Sequence, residues 1–158
     1  MPPVRLDMKG QQFEVRPDGD YTAVVASWKN KGLSKGQKTS GAPMIEVTYA
    51  LDEGGKIWEN HIFHANSIWT FKRMITAAGY DGDLDGERDI LFASEVDDYP
   101  DVDDPLIIDD VMESIIGIPV TLTLKTRPAQ GEYAARNEVA KVLPADNPIS
   151  SAWPKKAA

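Results

Sequence analysis

The chain has 158 residues, with 17 Lys and Arg against 25 Asp and Glu, a net charge of -8 and no cysteine. That length suffices for one domain with its own apolar core, and the absence of thiols excludes a disulfide framework, thiolate metal sites and cysteine nucleophiles. No apolar run reaches the roughly 20 residues of a membrane-spanning helix, and the opening "MPPVRLDMKGQQ" lacks the apolar centre of a secretory leader, so a soluble, cytoplasmic protein is expected.

In chain order, "GDYTAVVASWK" (residues 19 to 29) follows a Pro-Asp-Gly turn signal and is rich in β-branched and aromatic residues, which predicts a strand. "KNKGLSKGQKTSGAP" comes next and predicts a loop: it carries Lys29, Lys31, Lys35 and Lys38, three glycines and no acid. "MIEVTYALD" then alternates Ile45, Val47, Tyr49 and Leu51 against Met44, Glu46, Thr48 and Ala50, the period of a half-buried strand. "DEGGK" closes a hairpin into a third strand, "IWENHIFH". In "SIWTFKRMITAAG" the period changes: Ile68, Phe71, Ile75 and Ala78 fall at helical spacing, Ser67 stands at the N-cap position and Gly79 at the stop.

From Asp81 to Glu113 the chain holds fourteen acids and a single Arg, so the remainder is net basic. Residues 97 to 104 of this stretch read as solvated and partly disordered, while "PLIIDDVMESIIG" predicts a second short helix. "IPVTLTLK" alternates Val120, Leu122 and Leu124 against Thr121, Thr123 and Lys125, and "YAARNEVAKVLP" supplies a last strand after the turn "TRPAQG". The tail "SAWPKKAA" and the two residues before it, 149 to 158, read as loose.

The predicted order is all-β with one main helix, β-β-β-α-β-β, and it matches a five-stranded OB-fold barrel. That small Greek-key barrel binds oligonucleotides across strands 2 and 3 and through the loops joining strands 1 to 2 and 4 to 5. On this reading residues 1 to 148 form a single domain, with an acidic insertion at 81 to 113 between the helix and strand 4.

Five segments carry a resemblance to a known family: "GDYTAVVASW", the basic loop ending in "KTSGAPMIEVTYAL", "IWENHIFH", the helix ending in "AAGYDG", and "NEVAKVLP". Together they resemble the OB-fold single-stranded DNA-binding proteins of bacteriophages, across residues 19 to 143. The resemblance implies a phage replication or recombination protein that coats single strands in the cytoplasm of a bacterial host. One departure is plain. Many single-stranded DNA-binding proteins end in an acidic tail that recruits partners, whereas this chain ends in "AWPKKAA" and carries its acid internally.

Binding a single strand without sequence preference needs cations that follow phosphates and flat apolar groups that stack on bases. Lys29, Lys31, Lys35 and Lys38 on the loop, with Lys125, Arg127 and Arg136 towards the last turn, are the candidate phosphate-binding cations. Trp28, Trp58, Phe63 and Tyr133 are the candidate stacking groups, each with core packing as its rival role. Trp69 and Phe71 are set aside as residues of a helix that plugs the barrel.

Other motifs fail on their chemistry. "GLSKGQKTS" departs from a nucleotide-phosphate loop because Gln37 separates Gly36 from Lys38 and a strand follows where a helix is required. "DGDLDGERDILF" begins like a calcium loop, but its twelfth position is Phe92 and the bidentate Glu is missing. His61 and His64, spaced by three on a strand, face opposite ways and cannot share a metal. With no nucleophile–base constellation, no enzyme activity and no cofactor are expected. The expected partners are single-stranded DNA and, through the acidic segment, replication or recombination proteins, with no membrane. Two rival classes stand beside this one: a protein-interaction module working through the acidic insertion, and a small phage structural β-domain.

Overall fold

The computed structural model describes residues 15–35, 41–84, 86–128 and 135–145. Seven strands and two α-helices follow in the order β1 (Gly19–Leu33), β2 (Pro43–Leu51), β3 (Lys56–Ile62), α1 (Ile68–Ala77), β4 (Ile90–Leu91), β5 (Leu106–Ile107), α2 (Ile108–Ile115), β6 (Pro119–Arg127) and β7 (Arg136–Pro144), with a 3-10 helix, Ala93–Asp98, between β4 and β5.

Five strands form one antiparallel sheet in the order β3-β2-β1-β6-β7, while β4 and β5 form a separate parallel pair. Alternation decides which face of the sheet is buried. Ile45, Val47, Tyr49 and Leu51 on β2, and Val120, Leu122 and Leu124 on β6, are all buried, while the residues between them are half-exposed. Each fully buried side chain of this size contributes about 1.5–3 kcal/mol relative to exposure. Phe71, Met74 and Ile75 of α1 close over this face, as do Ile108, Val111, Met112 and Ile115 of α2. The β2–β3 turn needs glycine: Gly54 and Gly55 have φ of 99° and 90°, a region where a Cβ clashes with the backbone.

Three expectations are revised. The sheet is not closed into a barrel: β3 and β7 touch each other and α1, but no ladder joins them among the described residues. Where strand hydrogen bonding stops, a side chain takes over, with Arg73 of α1 donating to the carbonyls of Val139 and Ala140 on β7 at 3.0 and 2.8 Å. Those carbonyls lie beside a register shift, where Lys141 faces Thr123 but Val139 faces Leu124, so one residue of β7 is left out of the ladder.

The predicted basic loop is largely strand. β1 runs for 15 residues, and its pairing with β2 continues to Leu33 opposite Pro43, with Ser34 N–H donating to Ala42 O at 2.7 Å beyond it. Lys29 and Lys31 therefore stand on a β-hairpin arm, and residues 36–40 of the predicted loop lie outside the described residues.

The third revision concerns the acidic segment, which is folded. Leu91, Phe92, Leu106 and the buried face of α2 anchor it to the core, while Asp97, Asp98, Asp101, Asp103 and Asp104 face outward. The 3-10 helix starts where Glu95 accepts the Phe92 N–H at 2.9 Å. The predicted tail at 149 to 158 lies outside the described residues.

Candidate nucleic-acid interface

The face of the sheet turned away from the helices carries five of the predicted binding residues, Lys29, Trp58, Lys125, Arg127 and Arg136. Across its middle, Trp58 on β3 lies opposite Thr48 on β2, which lies opposite Ser27 on β1. Trp58 is 46% exposed. In the next row Lys29 lies opposite Glu46 and Glu46 opposite Asn60, with Lys29 Nζ 3.4 Å from Glu46 Oε1.

β1 then continues along β2, which β3 still flanks as far as Ile62 opposite Met44. Lys31 falls at a register shift between Asn30 and Gly32, so it stands outside the regular ladder, and both it and Lys35 are exposed. Opposite this part of β1 lie Ile45, Met44 and Pro43, so no acid faces it across the ladder.

At the other end of the strands is a second basic group. Thr121 and Thr123 point to the same outer face, and the alternation carries on to Lys125 and Arg127. Lys125 lies opposite Glu138 and Arg127 opposite Arg136. Acids dilute this group: Arg127 Nη1 is 3.8 Å from Glu138 Oε2, Asp20 accepts the Thr123 hydroxyl and Asp18 accepts the Thr126 N–H. Because Gly19 at the start of β1 pairs with Leu124, the two basic groups sit at opposite ends of the sheet, with Trp58 on the face between them.

Two predicted stacking residues are placed differently. Trp28 lies opposite Val47, on the core side, and its ring stacks on Phe92 with centroids 6.3 Å apart and planes 11° from parallel. Phe63 follows β3, its N–H donates to Pro43 O at 2.8 Å, and its ring meets Phe71 edge-on at 5.0 Å and Phe92 at 6.3 Å. Both are half-buried and packed against the core. Lys38 and Tyr133 lie outside the described residues.

Sequence reasoning passed over two features. Trp69, set aside as a plug, is 57% exposed on α1, and the Arg73 guanidinium lies 4.9 Å from its ring centroid. The i, i+4 spacing of the two residues was a legible signal for this pairing. The second feature is a buried charged network. Glu59 of β3 accepts from the Tyr49 hydroxyl at 2.9 Å and from Arg73 Nη2 at 3.0 Å. His61 Nε2 lies 3.1 Å from Glu59 Oε1, off hydrogen-bond alignment, and its Nδ1 meets the Thr70 hydroxyl at 2.9 Å. Burial pushes the Glu59 carboxyl up, but His61, Tyr49 and Arg73 together outweigh it and hold the group below the ordinary carboxylate range. Burial, and next the Glu59 charge, push the Tyr49 phenol well above its ordinary value, so it remains a donor.

Among the described residues no cluster of three or more His, Asp or Glu is placed to hold a metal ion. The Arg88 guanidinium, bound to the carbonyls of Asp83 and Asp104, stands inside the loop that begins like a calcium site. No helix among the described residues is long and apolar enough to cross a membrane. Neither a protein-family model nor a curated protein matches this chain.

Proposed function

We propose that this chain is a non-enzymatic OB-type single-stranded DNA-binding protein of phage replication or recombination, working without strong sequence preference in the host cytoplasm. The observation that carries the reading is an exposed aromatic among cations on one sheet face: Trp58 stands there with Lys29, Lys125 and Arg127. A strand laid across the face would stack a base on Trp58 while the lysine arm and the Lys125–Arg127–Arg136 end hold phosphates, with counterion release supplying most of the affinity. The strand order β3-β2-β1-β6-β7 supports the OB-type assignment, since it is the order of that barrel with the last seam left open. Trp28 and Phe63 are assigned here to shaping the root of the arm through their packing with Phe92.

The test is a titration of intrinsic tryptophan fluorescence with poly-dT over a range of salt, in the native protein and in Trp58→Phe, with a matched duplex as control. Quenching by the single strand that weakens with salt and shrinks in Trp58→Phe is the expected result. A native protein that responds equally to duplex, or not at all, overturns the reading.

A second reading has its own observation. The folded acidic segment presents Val96 and Tyr99, 38% and 51% exposed, among outward-facing Asp97, Asp98 and Asp101. Such a surface fits a basic partner protein with an apolar groove. Replacing those three acids by Asn separates the readings: loss of partner capture with unchanged DNA affinity assigns the segment to protein recruitment.

A further inference from the structure

Between α1 and the acidic segment lies an open cleft of about 400 Å³. Its floor is apolar, made by Phe63, Ile68, Leu84, Ile90 and Leu106. The walls differ in charge: Lys72 and His64 line it on the helix side, Asp83 and Glu87 on the segment side. Arg88 also lines it, but its guanidinium is engaged by the backbone carbonyls of Asp83 and Asp104. Lys72 is exposed and is the cation of this rim with no carboxylate paired to it among the described residues.

The cleft also connects to the basic arm. Phe63, on its floor, donates its N–H to Pro43 O, and Pro43 pairs with Leu33 at the root of the arm. The rings of Phe63, Phe92 and Trp28 form a continuous aromatic series from the floor of the cleft to the core side of β1 beside Lys29. The root of the arm thus adjoins the cleft on the helix side of the sheet, and a strand leaving the Lys29 face reaches the cleft by rounding the end of β3.

Resting on the single-strand reading above, we infer that this cleft takes one unpaired nucleotide of the bound strand, its base on the apolar floor and its phosphate at Lys72. The volume holds a base with its sugar, and the chemistry is divided as a nucleotide requires. An aromatic ring and aliphatic groups suit a desolvated base, and Lys72, whose ammonium is not engaged as the Arg88 guanidinium is, marks where the phosphate goes. Asp83 and Glu87 repel a phosphate from the opposite wall, so the nucleotide enters in one orientation. A site of this kind gives the protein a fixed point on a strand that the open sheet face otherwise lets slide.

The test uses backbone-amide NMR of the full chain, titrated separately with dTMP, inorganic phosphate and an oligo-dT, in the native protein and in Lys72→Glu. Lys72 is on the surface, and a native-like spectrum of the variant verifies its fold. Expected are shifts with dTMP at Ile68, Leu84 and Ile90, smaller or absent with phosphate alone, and weakening of dTMP binding by about tenfold or more in Lys72→Glu, as removal of a charge-assisted hydrogen bond implies. Oligo-dT shifts confined to the arm and the Trp58 face, unchanged in Lys72→Glu, would overturn the cleft assignment and leave the single-strand reading standing. Equal shifts from phosphate and dTMP would also overturn it, since the base would then contribute nothing. No response to either dTMP or oligo-dT sinks both readings together.

Discussion

Glu59 and Arg73 join the two open edges of the sheet. The carboxylate stands on β3 and the guanidinium on α1, and the Nη2 that lies 3.0 Å from Glu59 Oε2 also donates to Val139 O on β7 at 3.0 Å. Their side chains are 12% and 18% exposed, so this ion pair is shielded from the solvent that makes surface pairs weak.

Removing Arg73 leaves the buried Glu59 charge with only Tyr49 and His61 beside it and frees the seam carbonyls of Val139 and Ala140. Arg73→Met, which keeps the aliphatic bulk, is expected to cost about 3–5 kcal/mol in urea denaturation. Tyr49→Phe removes one donor to the same carboxylate and is expected to cost about 1–3 kcal/mol. A change below the error of the measurement for Arg73→Met would mean that the seam holds without the clasp.

The same carboxylate sets an acid dependence. Its folded pKa lies below the unfolded value of 4.5, so its contribution is fully present above that value and is lost as pH falls through the folded pKa. The urea midpoint of the native protein should therefore decline on acidification below about pH 5. Glu59→Gln is expected to be less stable at neutral pH and to show a shallower decline. Parallel pH profiles for the two proteins would assign the acid sensitivity to other carboxylates.

The two tryptophans of the sheet should separate function from stability. Trp58→Ala is expected to weaken poly-dT binding by about 1–3 kcal/mol with little change in the urea midpoint, because the side chain is nearly half exposed. Trp28→Ala removes a ring stacked on Phe92 and is expected to lower stability first. Binding isotherms and denaturation curves on the same two variants decide the matter, and an exchange of the two phenotypes would place the stacking surface on the core side.

Salt dependence measures each basic group. Lys31→Ala with Lys35→Ala is expected to reduce the slope of log K against log salt by about 0.7 for each phosphate that is no longer neutralised. Arg127→Ala should give a smaller change, because Glu138 already lies 3.8 Å from its guanidinium. Equal slopes in all variants would remove the arm from the interface.

Much of the sheet was legible because its physics is local. Ile45 to Leu51 and Val120 to Leu124 alternate with period two, and the buried faces fall where the alternation puts them. Phe71, Ile75 and Ala78 likewise fall on the buried side of α1 and its end. What escaped was non-local or masked by composition. Lys29 to Gly32 read as loop because both faces are polar, yet the ladder to β2 needs only backbone groups and continues through them. Fourteen acids concealed the apolar anchors Leu91, Phe92 and Leu106, which hold the segment to the core. No spacing rule could place Arg73 against Ala140, since the two meet only once α1 and β7 have packed.

β1 is the middle strand, and its two neighbours come from very different distances along the chain. β2 and β3 follow it through short connections, whereas Val24 must wait for Pro119 and Asp20 for Thr123. Closing so long a loop costs entropy before the ladder returns anything, so the β1–β2–β3 meander is expected to form early and the β6–β7 hairpin to dock late. Until it docks, the half of β1 that later pairs with β6 has an unsatisfied edge and can recruit another chain. The yield of folded protein should therefore depend on concentration during refolding, and the half of the sheet that carries Lys125 and Arg127 is the half completed last.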